Sequence, residues 1–248
     1  MVFTFMSNIT TGTLYIVSTP IGNLGDLSPR AAECLRSVDL IACEDTRHTG
    51  LLLSHLGIKN RLVPYNDINE TRRAPVIIET LSSGRDVALV CDAGTPGGSD
   101  PAYRVVHAAS EAGFTIVSVP GPSALLSALV VSGLPLDRFV FEGFLPSKGM
   151  KRTKYLEKLS SEERTIVLFE SPFRIIDLLE RILATLGDRD ISVSRELTKM
   201  FEETVRGQVS SVLETMKTKK PRGEYTVVIR GLGKRGSHDG SSHHVRGD

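Results

Sequence analysis

The chain has 248 residues, long enough to bury a core without disulfide or metal staples, as one large domain or two smaller ones. With 30 basic against 29 acidic residues its formal net charge is +1, which excludes holding nucleic acid by bulk charge alone while permitting a local basic patch. Cys34, Cys43 and Cys91 lack any C-x-x-C spacing and read as core thiols of a reducing compartment; residues 1–8 carry no basic leader and no apolar run is long enough to span a bilayer, so a soluble cytoplasmic protein is expected.

Strand and helix signals alternate from Thr13 onward, the pattern of βαβ units around a largely parallel sheet. Residues 13–18 predict a first strand, followed by the Gly/Pro-rich turn 19–26 and a helix that Ser28 caps and Pro29 opens. That turn lacks the G-x-G-x-x-G spacing of dinucleotide folds, and no G-x-x-x-x-G-K-[ST] occurs anywhere, which argues against a Rossmann dehydrogenase and a P-loop NTPase. Residues 39–43 predict the next strand, ending in Glu44-Asp45-Thr46-Arg47. Three charges in four residues at a strand end suggest a site, although Asp45 or Thr46 is equally suited to cap the following leucine-rich helix, which Gly57 stops. Residues 61–65 predict a short strand and 66–73 a loop, with Pro75 near the start of a helix to Leu81.

Residues 92–102 (DAGTPGGSDPA) cannot be regular secondary structure. They follow a short apolar strand at 86–91 and precede a helix at 102–112, which places a loop at a strand's carboxyl end, where open α/β sheets bind ligands. Three glycines allow close backbone approach, and Asp92, Thr95, Ser99 and Asp100 bring short polar groups. Asp100 and Pro101 also suit the cap and first position of the helix. Residues 115–119 predict a strand leading through Pro120-Gly121-Pro122-Ser123 into a helix at 124–132. That helix is apolar almost all round and is expected to be buried; its N-terminus serves as a tight turn or faces a ligand. Residues 138–144 are expected to close the first half.

Composition shifts at residues 146–149, the expected hinge, beyond which Lys148, Lys151, Arg152 and Lys154 form a basic cluster. Residues 164–169 predict a strand, and Ser171-Pro172 a helix with apolar residues at helical spacing from Ile175 to Leu186, ended by Gly187. Strands are expected at 191–195, 201–206 and 225–229 and a helix at 209–216, which makes the second sheet mixed or antiparallel; residues from 233 on read as a disordered polar tail. The expected division is an N-terminal extension at 1–12, an α/β domain at 13–145, a second α/β domain at 146–232 and the tail at 233–248.

Eight stretches taken in order resemble the tetrapyrrole methylase superfamily, and within it the ribosomal RNA small subunit methyltransferase I branch: 18–31 (STPIGNLGDLSPRA), 42–47 (ACEDTR), 92–101 (DAGTPGGSDP), 132–135 (SGLP), 141–146 (FEGFLP), 169–174 (FESPFR), 196–199 (ELTK) and 222–225 (RGEY). The EDTR and ELTK pieces are those that favour this branch over the corrinoid methylases. The resemblance implies a two-domain α/β fold, a parallel N-terminal sheet with a mixed C-terminal one, S-adenosylmethionine (SAM) in a cleft between domains, and a homodimer. It implies as substrate the ribose 2′-hydroxyl of a cytidine in the decoding region of 16S ribosomal RNA within the small subunit. Carried over by position, it assigns the cofactor to Asp92, Gly94, Thr95, Ser123, Ala124 and Phe169. Gly98, Ala102 and Ser118, and a 66–70 loop without histidine, are departures from the family pattern.

Methyl transfer from a sulfonium asks the protein to align an oxygen and help it lose its proton. Glu44, Asp45 and Glu170, all at predicted strand ends, stand as alternatives for the base. Arg47, Arg174 and Lys199 are candidates for holding phosphates or offsetting alkoxide charge, or equally for ion pairs with nearby carboxylates. No metal is expected and no membrane. The rival readings are a methylase of a tetrapyrrole or other small acceptor on the same fold, and a SAM-binding ribosome-assembly factor without catalysis.

Overall fold

The computed structural model describes residues 11–97, 101–147 and 149–233. The chain forms two compact units: one takes the residues up to 127 together with 196–202, the other 128–195 together with the residues from 203 on. Gly98, Ser99, Asp100, Lys148 and the tail, to which the sequence assigned a polar loop tip, a cap, part of a basic cluster and disorder, lie outside the described residues.

In the first unit, β1 (Thr13–Val17), α1 (Pro29–Ser37), β2 (Leu40–Cys43), α2 (Thr46–His55), β3 (Leu62–Pro64), α3 (Glu70–Ser82), β4 (Val87–Val90), α4 (Ala102–Glu111) and β5 (Thr115–Val119) alternate, with α5 (Ala124–Val131) after them. All five strands are parallel, in the order β3-β2-β4-β1-β5. β2 and β4 are buried throughout, as strands covered by helices on both faces must be. Leu14 and Leu89 pack with Ile77 of α3 and Val105 of α4 on one face. Val17, Ile41 and Val90 pack with Leu35 of α1 and Leu53 of α2 on the other.

In the second unit, β6 (Phe139–Phe144), α6 (Gly149–Leu159), β7 (Thr165–Glu170), α7 (Ile175–Leu186), β8 (Asp190–Arg195), β9 (Glu203–Gln208), α8 (Val209–Lys217) and β10 (Tyr225–Ile229) build a sheet of order β6-β7-β10-β8-β9. β6 and β7 are parallel and the other pairs antiparallel, so this sheet is mixed. Ile166, Leu168, Val193 and Val227 meet Leu178, Ile182, Val212 and Leu156 of its helices in one core.

Several expectations change. β6 does not close the first half: through α6 it makes a βαβ crossover to β7, and the chain first passes from one unit to the other within α5, well before the Pro146–Gly149 region. The basic run at 149–159 is a helix, and Arg152 within it is fully buried. α3 begins at Glu70, leaving Pro75 inside the helix; the Asn66 carbonyl accepts the Asn69 and Glu70 N–H groups and the Asn69 carbonyl those of Arg72 and Arg73, a start that polar composition disguises as loop. Pro101 is the N-cap of α4 rather than its first residue, and α7 starts at Ile175 after a turn over Ser171. α5 buries only Ala128 and Leu129, while Leu126 and Val130 are 52% and 66% exposed. Being apolar all round does not by itself supply a covering element. Among the described residues no helix is long and apolar enough to cross a membrane.

Candidate functional site

In the first sheet β1 and β4 are neighbours, yet their chains leave in opposite directions, β1 through α1 on one face and β4 through α4 on the other. Their carboxyl ends therefore flank the point where the strand order reverses, the place at which open α/β sheets form a binding crevice. Thr19, just past β1, and Gly94, past β4, form a two-bond bridge: Thr19 N–H donates to the Gly94 carbonyl at 2.9 Å and Gly94 N–H to the Thr19 carbonyl at 3.1 Å. Thr19 Oγ1 donates to the Cys91 carbonyl at 3.1 Å. Gly94 has φ +85°, the left-handed region that favours glycine, and a Cβ there would lie a tight 3.3 Å from Ile21 Cγ2.

A third loop joins the other two. Thr95 Oγ1 donates to the Pro122 carbonyl at 3.2 Å, which leaves Ser18 Oγ to donate to Thr95 Oγ1 at 2.8 Å. Gly121 lies so close to Ser18 that an added Cβ would come within 2.9 Å of Ser18 Cβ. Ser123 then starts α5, its carbonyl accepting Ser127 N–H at 2.9 Å and its hydroxyl facing Leu126 N–H at 3.4 Å. Asp92, Gly94, Thr95, Ser123 and Ala124, which the resemblance assigned to the cofactor, thus stand on one set of mutually braced loops. The groups they offer are a carboxylate, hydroxyls and backbone, with no basic side chain in 92–97 or 120–124. That set suits a cationic ligand with hydroxyl groups, as SAM is.

The end of β2 is tied to the same edge. Asp45 N–H donates to Asp92 Oδ1 at 3.1 Å, and Glu44 Oε2 faces the Asp92 N–H at 3.5 Å. Asn66 Nδ2 donates to the Glu44 carbonyl at 3.4 Å. Asp45 caps α2, its Oδ1 accepting Arg47 N–H at 2.8 Å, and Arg47 also grips it from Nε at 3.1 Å and from Nη2 at 2.6 Å. These bonds from Arg47 hold the Asp45 carboxyl well below the usual carboxylate range and raise Arg47 in turn. For this pair the structural alternative, cap and ion pair, is realised.

Lys199 lies in the 196–202 segment of this same unit. Glu196 (φ 51°) and Thr198 (φ 67°) hold left-handed backbone without being glycine, a strained arrangement of the kind that persists where surrounding structure demands it. Lys199 Nζ donates to Glu196 Oε1 at 3.0 Å, and its stem crosses Gly22 so closely that a Cβ there would meet Lys199 Cγ at 2.3 Å. The turn after β1 and the ELTK stretch are therefore in contact.

In the second unit Phe169 and Glu170 end β7. Glu170 is buried: its Oε2 pairs with Arg152, and its Oε1 accepts Arg174 Nε and Ser171 N–H, each at 2.8 Å. With both oxygens held by arginine and backbone donors, Glu170 is the hub of an ion-pair cluster and not an accessible base. Arg174 is likewise its ion-pair partner. Sequence reasoning missed Ser18, Thr19 and Arg152. Thr19 opens the turn already marked by its glycine and proline content and Ser18 ends the strand predicted before it; nothing in the basic run distinguishes Arg152 from its solvated neighbours. Among the described residues no group of three or more His, Cys, Asp or Glu side chains is placed to hold a metal.

The profile of the tetrapyrrole (corrin/porphyrin) methylases matches residues 13–213. A protein of Synechocystis sp. named ribosomal RNA small subunit methyltransferase I is 48% identical over 221 residues, 89% of this chain and 79% of its own length. A Thermotoga maritima protein of the same name is 48% identical, over 89% of this chain and 99% of its own length. Among solved structures, the methyltransferase CobJ superposes with TM-score 0.66 at 19% identity, covering 92% of this chain and 97% of that one. The uroporphyrin-III-C-methyltransferase of Thermus thermophilus gives 0.61 at 23%, over 88% and 94%. At those identities the two superpositions speak for the fold.

Proposed function

Because the chain belongs to the tetrapyrrole (corrin/porphyrin) methylase family, and by its 48% identity to the ribosomal RNA small subunit methyltransferase I group within it, we propose that it methylates the ribose 2′-hydroxyl of a cytidine in the decoding region of 16S ribosomal RNA, on the small subunit. The observation that carries the reading is the braced carboxyl edge of the first sheet, where Asp92, Thr95 and Ser123 present acidic and hydroxyl groups beside glycine backbone. Asp92, Gly94, Thr95, Ser123 and Ala124 would hold SAM, which supplies a methyl already activated on a cationic sulfonium.

The protein's own work is then to orient the ribose and take a proton from its 2′-oxygen. Asp45 is gripped by Arg47, which makes it a weak base, and Glu170 is buried with both oxygens engaged; Glu44, whose carboxylate faces the Asp92 N–H at the same edge, takes that role. Lys199 offsets charge on the developing alkoxide from its place over the β1 turn, while Arg47 and Arg174, each keeping its carboxylate partner, turn their remaining guanidinium nitrogens to RNA phosphates. The enzyme acts in the cytoplasm as a homodimer, and the exposed Leu126 and Val130 of α5 suit a subunit contact.

The test is transfer of labelled methyl from SAM to small subunits lacking the modification, followed by digestion to nucleosides. Label in 2′-O-methylcytidine is expected. No label, from protein that binds SAM, would overturn the reading and favour another acceptor.

A further inference from the structure

The carboxyl edge of β6 and β7 carries aromatic side chains, of which the resemblance assigned a role, in holding the cofactor, to Phe169 alone. Phe144 and Phe169 are partners in the parallel register. Phe169 stacks edge-on against Phe141, ring centres 4.9 Å apart, and tilted against Phe144 at 5.6 Å. Phe144 remains 57% exposed above this base, and Phe173, in the turn just after β7, is 96% exposed. Arg174 N–H bonds back to the Ser171 carbonyl at 3.1 Å and its Nε is fixed on Glu170, so Phe173 stands on a turn anchored to the buried Arg152–Glu170 pair. The same pair brings the first turn of α6, with exposed Met150 and Lys151, to this edge.

Two exposed phenylalanines, one at the end of β6 and one on the turn after β7, are costly in water unless something covers them. Arg174 follows Phe173 in the chain, and its bonds to Glu170 and Ser171 employ Nε and leave its two Nη groups out of both; Lys151 is exposed in the first turn of α6. Aromatic faces interleaved with Lys and Arg are the surface that unpaired nucleic acid requires, bases stacking on rings and phosphates meeting the cations. We infer that Phe144 and Phe173, flanked by Lys151 and Arg174, form a stacking platform for unpaired nucleotides of the ribosomal RNA substrate. The inference rests on the proposed RNA-methylating function and deepens it by naming the surface that takes the strand.

Small subunits lacking the modification are titrated into dye-labelled enzyme at several salt concentrations. Stacking on one aromatic ring is worth a factor of about 5 to 150 in affinity, so F144A and F173A should each weaken binding at least about fivefold. F173Y, which keeps a stacking face, should bind like the wild type, and F173L, which keeps only apolar bulk, should not. K151A should lower the slope of log affinity against log salt by about 0.7, as loss of one phosphate contact on a single strand does, whereas the phenylalanine variants should leave the slope unchanged. SAM titrations on the same variants report that they are folded. Wild-type affinity in F144A, F173A and their double variant would overturn the platform, as would an F173L that binds like the wild type. Loss of self-association by the double variant in sedimentation, with subunit binding unchanged, would assign the surface to a second copy of the chain instead. Methyl transfer by the wild type separates the two readings: transfer with phenylalanine-independent binding removes the platform alone, and phenylalanine-dependent binding without transfer removes the catalytic reading alone.

Discussion

Asp92 Oδ1 accepts the backbone N–H of Asp45 at 3.1 Å, so the carboxyl end of β4 and the first turn of α2 are fastened by one carboxylate. The same side chain is the acidic member of the proposed cofactor loops, and the two roles separate by substitution. Asp92→Ala should abolish SAM binding in calorimetric titration while the fold persists at reduced stability, lower by about 1–3 kcal/mol for a lost bond to a charged acceptor. Asp92→Asn keeps an oxygen for Asp45 and removes the charge; it should melt near the wild type yet bind SAM at least about tenfold more weakly, since one charged contact is worth about that much. Wild-type SAM affinity in Asp92→Ala would remove these loops from the cofactor site.

Close approach between loops predicts opposite signs for two glycine substitutions. A Cβ at Gly121 would stand 2.9 Å from Ser18 Cβ and 3.6 Å from the Ser18 carbonyl oxygen, pushing the β5 loop from the β1 loop; Gly121→Ala should cost about 1–3 kcal/mol in urea unfolding and weaken SAM binding. Gly50 is inside α2, where a Cβ would make an ordinary 3.9 Å contact with Leu62 Cδ1, so Gly50→Ala should raise stability by about 0.5–1 kcal/mol. Equal effects at both positions would mean that the loop contact is not tight.

How much of this was legible in the chain follows from the range of the interactions. β1 and β5 were readable because alternation and flanking turns are local, and so was the Ser28 cap, while for α2 the choice between Asp45 and Thr46 stayed open until the structure gave Asp45. The Asp92 loop announced itself by composition. Its bracing did not, because Ser18, Thr95 and Pro122 meet across 77 and 27 residues of sequence. Strand propensity at 139–144 says nothing of which sheet the strand joins; that is decided by α6 and the crossover to β7. Arg152 reads as solvated lysine-rich surface until Glu170, 18 residues on, is seen to share its buried pair.

Breaking that pair should be expensive. Glu170→Gln leaves the fully buried Arg152 with only the half-exposed Asp177 carboxylate, 3.7 Å away, and loss of one partner of a buried ion pair costs about 3–5 kcal/mol. Chemical denaturation should show that loss, and the pH profile of methyl transfer by the folded fraction should be unaltered because Glu170 holds structure and not the proton in flight. A profile whose alkaline or acid limb moves with Glu170→Gln would return it to the candidate bases.

Acid should destabilise the protein through a set of depressed carboxyls. Arg164 draws Glu162 down to about 2, Lys219 lowers Glu203, bonds from Ser210 lower Asp188, and Arg47 lowers Asp45. Each is lowered relative to an unfolded value of roughly 4, so its contribution is complete above that pH and is lost as pH falls through the folded value. The melting temperature should therefore hold down to about pH 4.5 and decline from there toward pH 2. Glu162→Gln should flatten the acid limb, and an unchanged limb would show that the pairing with Arg164 does not persist in solution.

The proton acceptor is decided by a contrast between neighbours. Asparagine caps helices about as well as aspartate, so Asp45→Asn should preserve the start of α2 and the site's shape. An effective base has a pKa near the working pH, and Arg47 holds the Asp45 carboxyl far below it. Single-turnover transfer to small subunits should therefore slow by no more than about threefold in Asp45→Asn, and by about 10²–10⁴ in Glu44→Gln, the usual weight of a positioned general base. SAM titration on both variants separates a binding loss from a chemical one, and the lost rate in Glu44→Gln should recover partly at high pH as the hydroxyl needs less help. The opposite pattern, a slow Asp45→Asn and a fast Glu44→Gln, would place the base on Asp45 and would mean that Arg47 leaves it when RNA binds.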